Sequence, residues 1–236
     1  MGIKIIRKKL TAFLYRNFMY IYFLVNNLKP FFHKDKESYS DFNEDVIIYG
    51  ILGSKDIRYI DIGAGHPIIG SNTYYFYKKG CTGITVEPIK FHYILHKLFR
   101  KNDIQVNKLI SNNHTKTKFY EFSPTQYSTI SESQYSQIYS MGMRERKSYY
   151  LESISINDIL QSFTNSNYFM SIDVEGFDSE IIKSINWSRN FKPSVIVFEI
   201  IKNEEDRLLV DSILINNGYK LARKTINNNI YCISTR

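Results

Sequence analysis

The sequence predicts an α/β fold: a mostly parallel central sheet with helices on both faces and an antiparallel hairpin at the C-terminus. Three observations predict it. Short apolar runs alternate with amphipathic stretches along most of the 236 residues, the pattern of a parallel sheet. The run Tyr59-Ile-Asp-Ile-Gly-Ala-Gly-His66 ends in a carboxylate and a glycine turn, which is how a buried strand meets a nucleotide-like ligand. Two strand-like segments flanking Asn227-Asn-Asn229 close the chain.

Taken in order, strands are predicted near 57–62, 82–87, 104–110, 168–173 and 193–200, and helices near 71–79, 90–100, 155–162, 178–185 and 204–217. Gly63 and Gly65 permit a tight turn after the first strand, and Ser71 and Asn72 are good N-caps for the helix that follows. The second strand, Gly83-Ile-Thr-Val-Glu87-Pro88, ends in a second carboxylate. That is where a dinucleotide-type fold presents an acid to ribose hydroxyls. Ser155 followed by Asp158 caps the third helix. Tyr219 to Ile226 and Ile230 to Ser234 form the hairpin, turning at Asn227–Asn229. Between Phe119 and Tyr150 the periodicity is poor and Ser, Gln and Tyr abound, so the segment reads as an acceptor-binding loop. In it, Arg144 and Arg146 are suited to a phosphate or carboxylate.

The net charge of +8 comes largely from Lys4, Arg7, Lys8, Lys9 and Arg16, outside the alternating region, which argues against a nucleic-acid surface. Phe13-Leu-Tyr15 and Phe18-Met-Tyr-Ile-Tyr-Phe-Leu-Val25 accompany these residues. The stretch is too short and interrupted for a membrane span and lacks a cleavage site, and Ile6 replaces the hydroxyl residue that lipidation of Gly2 expects. Residues 1–32 are therefore expected to form a basic, aromatic-apolar helix lying on a membrane surface or packing in an oligomer, and residues 33–236 the globular domain. With only Cys81 and Cys232 present, neither a disulfide framework nor a thiolate metal site is indicated, and the expected compartment is cytoplasmic, at most peripheral on the inner face of the membrane.

Ser38-Tyr-Ser-Asp-Phe-Asn-Glu-Asp45, Tyr59–Pro67, Ser71–Tyr74, Gly83–Pro88, Ser171-Ile-Asp-Val-Glu-Gly-Phe-Asp178 and Val197-Phe-Glu199 together resemble the FkbM family of methyltransferases. The resemblance spans roughly residues 38–200, and Ile-Asp-Val-Glu-Gly is its most specific piece. Asp41 and Asn43 stand where members usually carry Gln and Gly, and Gly65 where Asn is frequent. It implies a Rossmann-like methyltransferase fold, whose sheet ends in an antiparallel strand pair. It also implies S-adenosylmethionine as methyl donor and, most often, a sugar hydroxyl on a glycan or glycosylated metabolite as acceptor; the basic, aromatic-apolar N-terminal segment suits an acceptor that is lipid-linked.

The expected donor contacts are Asp61, Gly63, Ala64, Gly65, Asn72, Glu87, Pro88, Ser111, Asp173 and Val174. In an open α/β sheet both substrates meet beyond the carboxyl ends of the strands, where Asp61, Glu87, Asp173, Glu175 and Glu199 are predicted to lie. Asp173, Glu175 and His66 are the candidates for catalysis, and Asp173 with Glu199 could hold Mg²⁺. Two other classes are a binding module without catalysis and a nicotinamide-dependent oxidoreductase. The latter prefers a third turn glycine where this chain has Ile68.

Overall fold

A computed structural model of the chain describes residues 36–53, 56–111, 115–163, 167–187 and 192–234. The expectations for segment 1–32 lie outside these residues. Ser38 opens a compact unit that runs to Arg236. Its first half contains α1 (Glu44–Leu52), β1 (Arg58–Ile62), α2 (Tyr74–Lys78), β2 (Gly83–Val86), α3 (Lys90–Phe99) and β3 (Ile104–Val106). Then come β4 (Leu109–Ile110), β5 (Lys116–Ser123), α4 (Glu132–Ser140) and β6 (Arg144–Ile154). The chain ends with α5 (Ile156–Gln161), β7 (Tyr168–Ile172), α6 (Asp178–Ser184), β8 (Val195–Glu199), α7 (Glu204–Asn216), β9 (Tyr219–Lys224) and β10 (Asn228–Ile233).

Seven strands form the main sheet in the order β3-β2-β1-β7-β8-β10-β9. All pairings from β3 to β8 are parallel, and β10 is antiparallel to both β8 and β9. The fold class, with its antiparallel C-terminal hairpin, is as the sequence predicts. From β1 the chain builds outward through β2 and β3 on one side, then returns to lay β7 and β8 on the other. A crevice therefore opens beyond the carboxyl ends of β1 and β7, where a doubly wound sheet binds its ligand.

Strand residues alternate between two cores. Ile60, Ile62, Met170, Ile172, Ile196 and Phe198 pack with Ile156, Ile181, Val210 and their neighbours on α5, α6 and α7. Tyr59, Phe169, Val195 and Val197 pack on the opposite face with Ile48 of α1 and Phe76 of α2. With helices on both faces the central strands are buried along nearly their whole length rather than alternating. Each fully buried Ile or Phe contributes roughly 1.5 to 3 kcal/mol.

Four expectations are corrected. The strand predicted over 104–110 is two strands, because Asn107 donates from Nδ2 to the carbonyls of Glu87 (2.8 Å) and Pro88 (2.9 Å), and the chain beyond it leaves the main sheet. The segment 119–150, read as a loop, is mostly regular: β5 and β6 pair antiparallel, β4 joins β6, and α4 lies between them. Tyrosines on both faces and a bulge opposite Glu121 hide the two-residue period. α2 begins at Tyr74 with Thr73 as N-cap; Ser71 Oγ accepts instead from the amide of Tyr74 at 3.1 Å. The hairpin turns earlier than predicted, since β10 already starts at Asn228. Helix α1 was not predicted; its cap is Asn43, at φ 62°. Asn tolerates this left-handed conformation better than most other side chains.

Candidate functional site

The glycine turn after β1 is stitched to both neighbouring strands. Gly63 and Ala64 both donate their amides to the carbonyl of Val86, at 2.9 and 3.1 Å, and Asp173 donates its amide to the carbonyl of Ile62 at 2.9 Å. Gly63 has φ 73°, and a Cβ there would lie 1.8 Å from the Asp173 carbonyl oxygen and 3.2 Å from Val174 Cγ1. Only glycine fits. Gly65, at φ 54°, donates its amide to Glu87 Oε2 at 2.7 Å, and its carbonyl faces His96 Nε2 at 3.1 Å.

Glu87 is buried at the end of β2, and its other oxygen accepts from the amide of Ile89 at 2.6 Å. Burial pushes its pKa up to about 8 despite those two amides, with the charges of Asp61 and Glu121 adding. Pro88 follows it, its carbonyl held by Asn107. Ser111 lies past β4, in the second sheet, donating its amide to Ile154; Leu109, two residues before it, packs with Ile89 and Phe119.

Asp61 is 5% exposed and belongs to a buried polar network. Its Oδ2 accepts from Thr73 Oγ1 at 2.5 Å and lies 3.9 Å from Arg100 Nη1. Arg100, wholly buried, donates to Asp103 Oδ2 at 2.8 Å and Thr73 Oγ1 at 2.9 Å. Asp103 Oδ1 in turn accepts from Tyr59 Oη at 2.6 Å and the amide of Gly83 at 2.9 Å. Sequence reasoning missed Arg100 and Asp103. An Arg closing α3, three residues before an Asp, is their only signal, and surface pairs look the same. Asn72 bridges to β7, donating from Nδ2 to Ser171 Oγ at 3.1 Å.

Asp173, Glu175 and Glu199 gather beyond β7 and β8. Asp173 is exposed to solvent yet surrounded by protein, as a residue lining a cleft is. That enclosure raises its pKa to about 7, and the carboxylates of Glu199, Asp61, Asp41 and Glu44 push the same way. Glu175, at φ 53°, is raised to about 9, first by burial and then by Asp173 and Glu199. Asp178, which the sequence reading did not select, is 3% exposed with Oδ1 unpartnered, and burial raises its pKa well above the carboxylate range. Lys202 Nζ is 3.9 Å from Glu199. Among the described residues no three His, Cys, Asp or Glu side chains converge as metal ligands, and the expected Mg²⁺ at the Asp173–Glu199 pair gains no support. His66 lies beside the turn; its Nδ1 accepts from the amides of Ile68 and Ile69, both at 3.1 Å. That leaves the proton of the neutral ring on Nε2 and commits the basic nitrogen to the backbone.

The β4–β6 insertion reaches both ends of this site. Thr129 Oγ1 donates to the carbonyl of Glu175 at 3.2 Å, and the Gln134 side chain fills the space over Gly176. Near Glu87, the buried Glu121 accepts from Arg146 Nη1 at 3.0 Å and Tyr149 Oη at 2.8 Å, with Lys147 Nζ at 3.4 Å. The bulge in β6 sets two consecutive cations opposite this one acid.

The Methyltransferase FkbM domain model matches residues 61–221. No curated protein matches the chain. Among solved structures, a putative RNA methyltransferase, PH1948 from Pyrococcus horikoshii, is 12% identical with a TM-score of 0.41, covering 81% of this chain and 83% of its own. The matched span runs from the Asp61 carboxylate, through the glycine turn, Glu87 and the Asp173–Gly176 loop, into β9, and the chain belongs to the FkbM methyltransferase family.

Proposed function

We propose that the chain is an S-adenosylmethionine-dependent O-methyltransferase acting on a sugar hydroxyl of a glycan or glycosylated metabolite. One observation carries this reading: a glycine turn clamped by Glu87 faces, across the β1/β7 crevice, a cleft-lining carboxylate whose pKa is about 7. S-adenosylmethionine would bring the transferable methyl group and leave as a neutral thioether. Glu87 is placed to accept from ribose hydroxyls, and the acidic wall of Asp173 and Glu199 suits a donor bearing sulfonium and ammonium charges.

Asp173 is the general base of this proposal. Its carboxylate would take the proton of the acceptor hydroxyl as that oxygen took up the methyl group, the carbon–sulfur electron pair leaving with the donor's sulfur. A base near pKa 7 is about half ionised at neutral pH and still basic enough to help, a contribution of about 10² to 10⁴ in rate. His66 is second to it, because its Nδ1 is already engaged. Thr129, Gln134 and Arg146 lie on the side assigned to the acceptor. The decisive experiment is transfer of labelled methyl from S-adenosylmethionine to glycan and glycolipid fractions by the intact protein and by Asp173→Asn. Transfer that survives in the variant would refute the base, and absence of donor binding to the intact protein would refute the reading. We further propose that residues 1–30 bring the domain to a membrane surface bearing a lipid-linked acceptor.

A further inference from the structure

Helix α3 buries polar side chains alongside Leu95, which is 4% exposed. His92, His96 and Arg100 are 7%, 0% and 0% exposed, while Ile94 and Leu98 are 44% and 54% exposed. The three polar residues recur every fourth position, so they share one face, and that face is turned inward. A helix shaped only by burial of apolar surface would leave them outside. Arg100 is explained by Asp103, Asp61 and Thr73. His96 has a different partner: its Nε2 lies 3.1 Å from the carbonyl of Gly65, while its Nδ1 is buried without a hydrogen bond. A carbonyl only accepts, so Nε2 carries the proton and donates it, and the ring is the neutral Nε2–H tautomer. Burial, then the charge of Arg100, holds the His96 pKa well below its ordinary value, which keeps the ring in that neutral form.

Gly65 is thus gripped at both ends of one residue, its amide by Glu87 Oε2 at 2.7 Å and its carbonyl by His96 Nε2. We infer that His96 is a positioning residue of the donor site, fixing the Gly65 peptide so that the glycine turn and the Glu87 carboxylate are set for the donor before it arrives. This rests on the reading of the turn as the donor site. His96 touches no donor atom in this scheme; it acts through Gly65.

Three substitutions test it. Leu fills the space without donating, Gln carries an N–H at the reach of Nε2, and Asn carries one that falls short of the Gly65 carbonyl. Calorimetry with S-adenosylhomocysteine is expected to give a Kd about tenfold weaker for His96→Leu and His96→Asn, the order of one lost buried hydrogen bond, and within about threefold of the parent for His96→Gln. Amide exchange over residues 63–68 should speed up in the Leu and Asn variants while β1, β7 and β8 stay protected. Should His96→Leu not fold, the Gln and Asn pair decides alone. Equal affinity in all variants, or equal weakness of Gln and Asn, overturns the inference. If the parent protein binds no donor but the turn's exchange still follows the donor at position 96, the donor reading falls and the clamp stands.

Discussion

Glu87 holds two backbone amides at once, those of Gly65 and Ile89, so a ribose would meet an acceptor already fixed in direction. Measured above the Glu87 pKa of about 8, where the carboxyl is ionised, Glu87→Ala is expected to weaken donor binding by roughly 1.5 to 3 kcal/mol, the worth of a charge-assisted hydrogen bond; unchanged calorimetric affinity would refute the ribose assignment. For Asp173→Asn the expectation is a loss of about 10² to 10⁴ in turnover with donor binding retained. The pH profile follows from the same group: the base must be ionised, so kcat/KM should rise with pH through about 7 and flatten above it. A flat profile across that range would remove Asp173 from the role. Both carboxylates were legible in the sequence because each closes an apolar run. Asp178 was not, since nothing in its neighbourhood signals a buried carboxyl with an unpartnered oxygen.

At the scale of elements, α3 reaches the glycine turn through His96, and the β4–β6 insertion reaches the Asp173–Gly176 loop through Thr129. Arg100, the C-cap of α3, sits between the carboxylates of Asp61 and Asp103 with no exposed surface. Arg100→Met would leave two buried acids without their cation, and breaking such a pair costs about 3 to 5 kcal/mol. Chemical denaturation should show that loss, and a change below about 1 kcal/mol would mean the acids are neutral or otherwise satisfied. The parallel strands and most helices were readable because their apolar runs are continuous and their caps conventional; Ser155, for instance, accepts from the amide of Asn157 as a cap does. The insertion was not. One face carries exposed Lys116, Lys118, Ser148 and Tyr150 yet buries Tyr120 and Phe122 with Ile138 of α4, while Phe119, Tyr149 and Leu151 pack on the other. Helix α3 was read at nearly its observed bounds, Lys90–Phe99, but that its histidines lie on the buried side with Leu95 was not legible.

For the whole molecule, several carboxylates take up protons more readily folded than unfolded. Glu87 is at about 8, Glu175 at about 9 and Asp173 at about 7, against 4.5, 4.5 and 3.8 when unperturbed. A raised acid gives stability that is complete below its unfolded pKa and is lost as pH climbs through its folded pKa. The melting temperature of the ligand-free protein should therefore fall from pH 6 to pH 9, and a cationic donor should lessen the fall. Thermal melts that rise over that range would contradict the acidic wall. None of the described helices is long and apolar enough to cross a membrane. Surface attachment through residues 1–30 is a separate prediction. Sedimentation with anionic vesicles at low salt should carry the intact protein down and leave a 1–30 deletion behind, with each Lys or Arg near the bilayer worth about 1 kcal/mol. Attachment that survives the deletion would refute the anchor. The layout of the insertion bears on how such an enzyme diversifies. Its entry and exit, β4 and the end of β6, lie side by side in parallel register, Leu109 against Ser153 and Ile110 against Ile154. A segment whose two ends meet in this way can be lengthened, recast or exchanged without disturbing the sheet that carries Glu87 and Asp173, so new acceptors can be acquired as cassettes while the donor machinery is inherited intact.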